Sequence, residues 1–317
     1  MKRLTQLIGL IFIIIVSGRL GRGIEPLTFS EVSAGLSLKH SVIEPPLRSP
    51  STQVSGGSAV GDANRDGIDD SVAMVGLEKV PVLYLGMKDG SYQPSEVLAH
   101  IDGGTYSGPL WADFNQDGWL DLFVGGLEGT PSKLLINRQG QRFEELSDGI
   151  PTREVISTSS ADVNRDGFPD LFVSHWGSEV GRCHLWLNEG GTSFRCADKL
   201  WPVETFTREG FDYGFTASFA DIDADGRLDM ATTIDFGGSR IFWGDEQGAF
   251  FGANAFYPDD ENGMGSVLFD YDRDGDLDWF ITSIFDDDGT TEGNWGTTGN
   301  RLYRNDGQRR FTDVTDL

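Results

Sequence analysis

The 317-residue sequence predicts an all-β chain of repeated, four-stranded antiparallel units, and three observations carry that prediction. An acidic nonapeptide recurs five times, its copies are almost evenly spaced, and each is followed by the same order of short apolar runs and turns. The copies are DANRDGIDD from Asp62, DFNQDGWLD from Asp113, DVNRDGFPD from Asp162, DIDADGRLD from Asp221 and DYDRDGDLD from Asp270. All fit D-x-[DN]-x-D-G-x-x-D, and their first residues lie 51, 49, 59 and 49 positions apart. A period of about 50 residues signals a repeat architecture in which no unit buries its apolar face alone.

The unit opens with a run of small residues: GSAVG, GPLWA, STSSA, TASFA and GSVLF. The nonapeptide follows and leads into SVAMV, LFVGG, LFVSH, MATTI or WFITS. Runs this short, rich in Val, Ile, Phe and Thr, read as strands. A third strand comes next (VLYLG, KLLIN, HLWLN, RIFWG, RLYRN) and ends at Asn or Gly before a turn. The fourth begins with an aromatic residue: YQPSEV, FEEL, FRCAD, FFGAN and FTDV. Four short antiparallel strands joined by Gly, Asn and Asp turns describe the blade of a β-propeller. The small residues of the first strand suit the crowded position nearest the axis.

The nonapeptide sets side-chain oxygens at places one, three, five and nine, with glycine at six. A hard cation such as Ca²⁺ takes about six to eight oxygens, and glycine permits the backbone to fold around it. An EF-hand is excluded, because its twelfth place needs a bidentate Glu and here holds Ala73, Val124, Val173, Thr232 or Ile281. The fourth carboxylate is therefore assigned to place nine. Turn formation alone needs one or two such residues. Three or four carboxylates within nine residues repel one another without a counter-ion.

With loops and strands read in this way, the chain resembles the FG-GAP/VCBS repeat family. These are the calcium-loop propellers typified by integrin α-subunits and cartilage-acidic-protein-like secreted proteins. The resemblance runs from about Leu27 to the C-terminus and is most specific in GMGSVLFDYDRDGDLDWF and NRLYRNDGQRRFTDVT. It implies one Ca²⁺ per loop, up to five, on the bottom face of the blades. The first set would be Asp62, Asn64, Asp66 and Asp70 with the carbonyl of Ile68. The second is Asp113, Asn115, Asp117 and Asp121 with Trp119; the third is Asp162, Asn164, Asp166 and Asp170 with Phe168. The fourth is Asp221, Asp223, Asp225 and Asp229 with Arg227; the fifth is Asp270, Asp272, Asp274 and Asp278 with Asp276. Asn at place three lowers the expected affinity of the first three loops. Family propellers commonly have about seven blades, whereas five loops are present. The chain either closes as a five-bladed ring or is a piece of a larger propeller. The strand-like LTFSEVSAGL at Leu27 favours the second reading.

A formal charge of −25 argues against nucleic-acid or anionic-lipid partners. Seventeen of the carboxylates stand at the proposed ligand places, so much of the acidity is ligand charge. Residues 1–22 read as a secretory signal: two cations, then an apolar run from Leu7 to Val16 that is short for a membrane span. Val16-Ser17-Gly18 departs from the A-x-A cleavage pattern, so a retained N-terminal anchor stays open. The propeller is assigned to 27–317, and the location to the secreted, periplasmic or cell-surface space. Cys183 and Cys196 flank a turn between third and fourth strands, with their midpoint at Glu189-Gly190. A hairpin centred there sets them directly opposite, and export favours a disulfide.

Catalytic motifs are absent. His40, His100, His175 and His184 lack zinc-type spacing, and no nucleophile elbow or phosphate-binding loop occurs. Connections on the end opposite the acidic loops are longer and aromatic: 174–182, 200–214, 256–263 and 285–300. They gather Trp176, Trp201, Tyr213, Tyr257 and Trp295 as a candidate ligand face, with packing between blades as the competing explanation. The expected function is a non-catalytic, calcium-stabilised binding or adhesion module for a protein or glycan. The alternative is the propeller of a polysaccharide-active lyase or hydrolase, which requires an axial pocket with paired carboxylates or a base such as His175.

Overall fold

The structure, a computed structural model, describes residues 56–74, 78–146, 150, 152, 154–179, 181–197, 207–246, 248–258, 260–285 and 296–316. The N-terminal segment 1–22, the strand-like stretch at Leu27, His40, Trp201 and Trp295 lie outside these residues. The described residues form 22 strands and one 3-10 turn at Glu96–Leu98. The strands belong to one compact unit, Ser33–Thr315.

Five antiparallel sheets follow in order, one per acidic nonapeptide. Sheet 1 is β1 (Ser58–Gly61), β2 (Asp70–Ala73), β3 (Val82–Gly86) and β4 (Tyr92–Ser95). Sheet 2 is β5 (Thr105–Ala112), β6 (Asp121–Leu127), β7 (Lys133–Asn137) and β8 (Phe143–Glu145). Sheet 3 is β9 (Ser157–Ala161), β10 (Asp170–Ser174), β12 (Leu185–Asn188) and β13 (Phe194–Cys196). Sheet 4 centres on β15 (Phe211–Ala220), β16 (Asp229–Ile234), β17 (Arg240–Gly244) and β18 (Phe250–Phe256). Sheet 5 is β19 (Gly263–Phe269), β20 (Asp278–Ser283), β21 (Arg301–Asn305) and β22 (Phe311–Asp313). The chain is thus an all-β propeller of antiparallel blades. The first strands lie side by side in sequence: β1 by β5, β5 by β9, β9 by β15 and β15 by β19.

The apolar runs are continuous because both faces of a blade are covered. On β6, Leu122 and Val124 pack towards blade 1 with Val72 and Leu83, while Phe123 points the other way against Leu171 and Val173 of blade 3. The same division recurs at the next two interfaces, where Phe172 and Leu185 meet Met230 and Phe242, then Ala231 and Trp243 meet Trp279 and Tyr303. Alternate side chains of a strand point to opposite faces. One strand therefore feeds two cores. Small residues on the first strands answer a packing demand: a Cβ on Gly108 would lie 3.2 Å from the Ser157 backbone of the next blade.

Two features depart from the sequence reading. Residues 174–182, expected as a connection, contain β11 (Trp176–Glu179), which leaves blade 3 and pairs with β15 of blade 4. A two-residue strand, β14 (Thr207–Arg208), also pairs with β15. The ten-residue β15 outruns its partner β16, and its exposed backbone groups recruit these segments. The second departure is register. Cys196 stands opposite Trp186, and Asn188 opposite Phe194, so the hairpin centres on Gly191 and not on Glu189-Gly190. Cys183 and Cys196 are bonded with Cα atoms 5.9 Å apart. The bond reaches from the strand to the segment before β12.

An asparagine staples one blade to the next. Asn137, buried at the end of β7, donates through Nδ2 to Leu120 O (3.0 Å) in its own blade and to Ala63 O (2.8 Å) in blade 1. Its Oδ1 accepts from Gly140 N at 2.7 Å. Asn188 repeats this with Pro169 O, Phe114 O and Gly191 N, and Asn305 with Leu277 O, Ile222 O and Gly307 N. Every polar atom of the amide is used. Replacing Asn137 by Ala strands two carbonyls and one N–H, and should lower the unfolding free energy by about 2–4 kcal/mol in urea titration.

Candidate functional site

The five acidic nonapeptides link the first and second strands of their blades, so they share one end of the sheets. In the first loop the backbone turns inward on its own side chains. Asp66 N–H donates to Asp62 Oδ1 (3.0 Å) and Asn64 Oδ1 (2.9 Å), Gly67 N–H to Asp62 Oδ2 (2.8 Å) and Ile68 N–H to Asp66 Oδ1 (2.9 Å). The loops from Asp113, Asp162 and Asp221 repeat all four bonds. The loop from Asp270 keeps three of them, through Asp270 and Asp274. Glycine at place six has φ of 83–99°, a left-handed conformation costly for other residues. Place four is also left-handed, at Arg65, Gln116, Arg165, Ala224 and Arg273, with φ of 57–65°. No sequence signal had marked that position.

Place nine has a further role. Asp70, Asp121, Asp170, Asp229 and Asp278 are buried at the head of their strands. One oxygen accepts the N–H of place two (Ala63, Phe114, Val163, Ile222, Tyr271). The other accepts the N–H at the end of the third strand (Gly86, Asn137, Asn188, Gly244, Asn305), and all ten distances are 2.8–3.1 Å. Each carboxylate thus clamps loop to sheet. Burial pushes Asp121 up to about 7 and Asp170 and Asp229 up to about 6, against the lowering pull of the backbone N–H groups. Asp70 and Asp278 are raised for the same reason.

The donor set fits a hard cation. Asp270, Asp272 and Asp278 each bring an oxygen within 4.8 Å of the others, as do Asp221, Asp223 and Asp225. A carboxylate oxygen that accepts one N–H keeps a second lone pair, so clamping and ligation are compatible at place nine. The place-seven residues Ile68, Trp119, Phe168, Arg227 and Asp276 donate their N–H groups into the loop.

The opposite end carries the aromatic residues. Trp176 Nε1 donates to Asp235 Oδ2 at 3.0 Å, and its ring lies 6.2 Å from Tyr213 and 5.8 Å from Phe215. Tyr213 in turn meets Phe236 edge-on at 4.8 Å. Trp176 and Tyr213 are half-buried, which gives the packing explanation a share of both. Tyr257, 55% exposed, stands against the Arg240 guanidinium at 5.0 Å. The sequence reading missed Phe236, which is 42% exposed and borders a 330 Å³ cavity with Pro258, Glu261 and Asn262. A lone Phe in a turn gives no pattern to find.

The histidine proposed as a base is enclosed. His175 is buried, with Nδ1 2.8 Å from Glu154 O; burial and the neighbouring His184 push its pKa down to about 4. His184, also buried, reaches Asp212 of blade 4 at 2.8 Å. His184 joins blade 3 to blade 4, His175 lies against the Glu154 and Cys183 carbonyls, and both are buried.

The FG-GAP-like repeat family model matches residues 62–124, 113–173, 162–232 and 221–281. Integrin alpha-3 of Mus musculus is 27% identical over 156 residues, 44% of this chain and 15% of that protein. Its Cricetulus griseus counterpart is 28% identical over 33% of this chain and 12% of its own length. The chain therefore spans only a small part of these relatives. A solved Agrocybe aegerita lectin, described as recognising non-reducing terminal N-acetylglucosamine, is 16% identical with a TM-score of 0.48. It covers 81% of this chain and 65% of its own.

Asp121→Ala should cost about 2–4 kcal/mol in chelator by leaving two buried N–H groups unpaired, and more in calcium, where a ligand of the proposed ion is lost as well. Asp117→Ala, which loses the hydrogen bonds from Trp119 N–H and Asn115 Nδ2 on an exposed loop, should cost more in calcium than in chelator. In chelator, a carboxylate raised on folding stabilises fully below its unfolded value near 3.8 and loses that contribution as pH rises through about 7. The melting-temperature advantage of the parent over Asp121→Asn should accordingly shrink between pH 4.5 and 7.5.

Proposed function

We propose, from the premise that the chain belongs to the FG-GAP-like repeat family, that it is a calcium-stabilised extracellular propeller that binds a protein or glycan without chemistry. The observation that carries the reading is the repetition of one oxygen-lined loop lattice at a common end of five blades. In each loop the side chains of places one, three, five and nine would hold Ca²⁺. The ion would neutralise the carboxylates and cross-link a turn already folded by its own hydrogen bonds. A Kd near 10⁻⁴ M at millimolar calcium contributes about 1.4 kcal/mol per loop. Five such loops total about 7 kcal/mol, comparable with the 5–15 kcal/mol of a whole domain.

Export is supported by the Cys183–Cys196 disulfide, which suits an oxidising compartment. No helix among the described residues is long and apolar enough to cross a membrane. The partner surface in this reading is the end away from the acidic loops, where Phe211, Phe236, Tyr257 and Phe285 are 42–62% exposed. Aromatic faces beside the carboxylate of Glu261 and the amide of Asn262 suit a sugar ring or a peptide segment. The enclosure of His175 counts against one of the two routes of the enzymatic alternative, the other being paired carboxylates in an axial pocket.

Chelation should lower the melting temperature by about 10 °C or more, read by scanning calorimetry in EDTA and in millimolar calcium. An unchanged melt rejects occupied loops. On arrays of immobilised glycans and extracellular-matrix proteins, Phe236→Ala with Tyr257→Ala should weaken capture at least tenfold while the melt stays within a few degrees. Cleavage of an arrayed glycan would overturn the non-catalytic reading.

A further inference from the structure

The fourth loop differs from its siblings in what covers it. The turn between third and fourth strands of each following blade sits over place three of the loop before it. Over Asn64 that turn presents Gly140, where a Cβ would lie 3.2 Å away, and over Asn115 it presents Gly191, where a Cβ would lie 2.7 Å away. Gly248 lies in the same way against the Val163 carbonyl and Asn164. Over the fourth loop, place three is Asp223, and the covering turn of blade 5 presents Arg309. Neutral amides meet glycines, whereas the extra carboxylate meets a cation.

The contact is specific. Arg309 Nε donates to Asp223 Oδ2 at 2.5 Å and its Nη2 lies 3.4 Å from Asp225 Oδ2. The guanidinium rests over the Trp243 ring of blade 4, 4.8 Å from its centroid. Arg227, at place seven of the same loop, also donates to Asp225 Oδ2, and its Nε donates to Gly244 O at 3.2 Å. Arg165, from the third loop, donates to Gly226 O at 2.5 Å. Asp223 keeps only 7% of its side chain exposed and Asp225 22%. The loop already holds two guanidinium counter-charges on the carboxylates that a metal would need.

We propose that Arg309 is a tethered cation of the fourth loop. It locks blade 5 onto blade 4 without metal, and a divalent cation enters this loop only by displacing it. The latch itself is independent of calcium; the competition rests on the cation reading of the loops. Loop four then ranks below the Asn-containing loops in calcium affinity, despite its additional carboxylate. Charge count alone gives the opposite order.

A double-mutant cycle in EDTA tests the latch on the full chain. Arg309→Gln should lower the melting temperature by about 2–4 °C, and Asp223→Asn likewise. The double variant should melt close to either single one. Additive shifts would overturn the latch. A calorimetric calcium titration tests the competition: Arg309→Gln should tighten the weakest site about tenfold, or reveal one more ion, relative to the parent. Identical isotherms with bound calcium would overturn it. If no variant binds calcium, the cation reading of the loops falls, and the EDTA cycle still decides the latch.

Discussion

A buried aspartate at the head of every second strand holds this architecture together. Each blade must leave its sheet for eight residues and return in register, and doing so strands two backbone N–H groups in the interior. Asp is short enough to sit at that point and has two acceptor oxygens to satisfy both. The cost is charge burial, visible in the raised pKa of Asp121, Asp170 and Asp229. The gain is a loop whose shape is set by the sheet. Places one and five, and place three in the first four loops, are held by backbone hydrogen bonds, so the proposed ion would demand little reorganisation. In that proposal, affinity would be governed by charge and competitors rather than by folding of the loop.

The asparagine staples extend the same logic between blades. Asn137 pairs with place eight of its own loop and place two of the preceding one, so a loop cannot shift without disturbing its neighbour. Apolar faces alone leave adjacent blades able to slide, because hydrophobic contact is non-directional. Directional bonds from one amide to two loops select a single stacking offset.

The blades were legible because their signals are local. A nine-residue template, a two-residue alternation and turn residues at fixed offsets place nearly every strand within a residue or two, as with KLLIN at Lys133–Asn137 and RIFWG at Arg240–Gly244. What escaped is nonlocal. WGSE has no alternation, and β11 forms because the overhanging edge of β15 lies beside it. The hairpin register at Cys196 depends on a turn at Gly191 pressed against Asn115, which the cysteine spacing does not reveal. Arg309 is 86 residues from its carboxylate partner and looks like any surface arginine in sequence. Place nine was readable as an oxygen donor, while its grip on the third strand needed the sheet to be seen.

The two ends of the blades therefore follow opposite rules. At the acidic end, nearly every side chain at a template place is constrained by backbone bonds. At the other end, connections differ in length from blade to blade, and one of them contributes a strand to its neighbour. Exposed Phe236, Tyr257 and Phe285 lose stabilising burial by staying in water. A scaffold secured at one end can carry that cost at the other. The proposed recognition could then change through residues that the fold does not need, while the loop lattice and staples keep the blades in place. That separation accounts for aromatic side chains persisting on a surface otherwise rich in carboxylates.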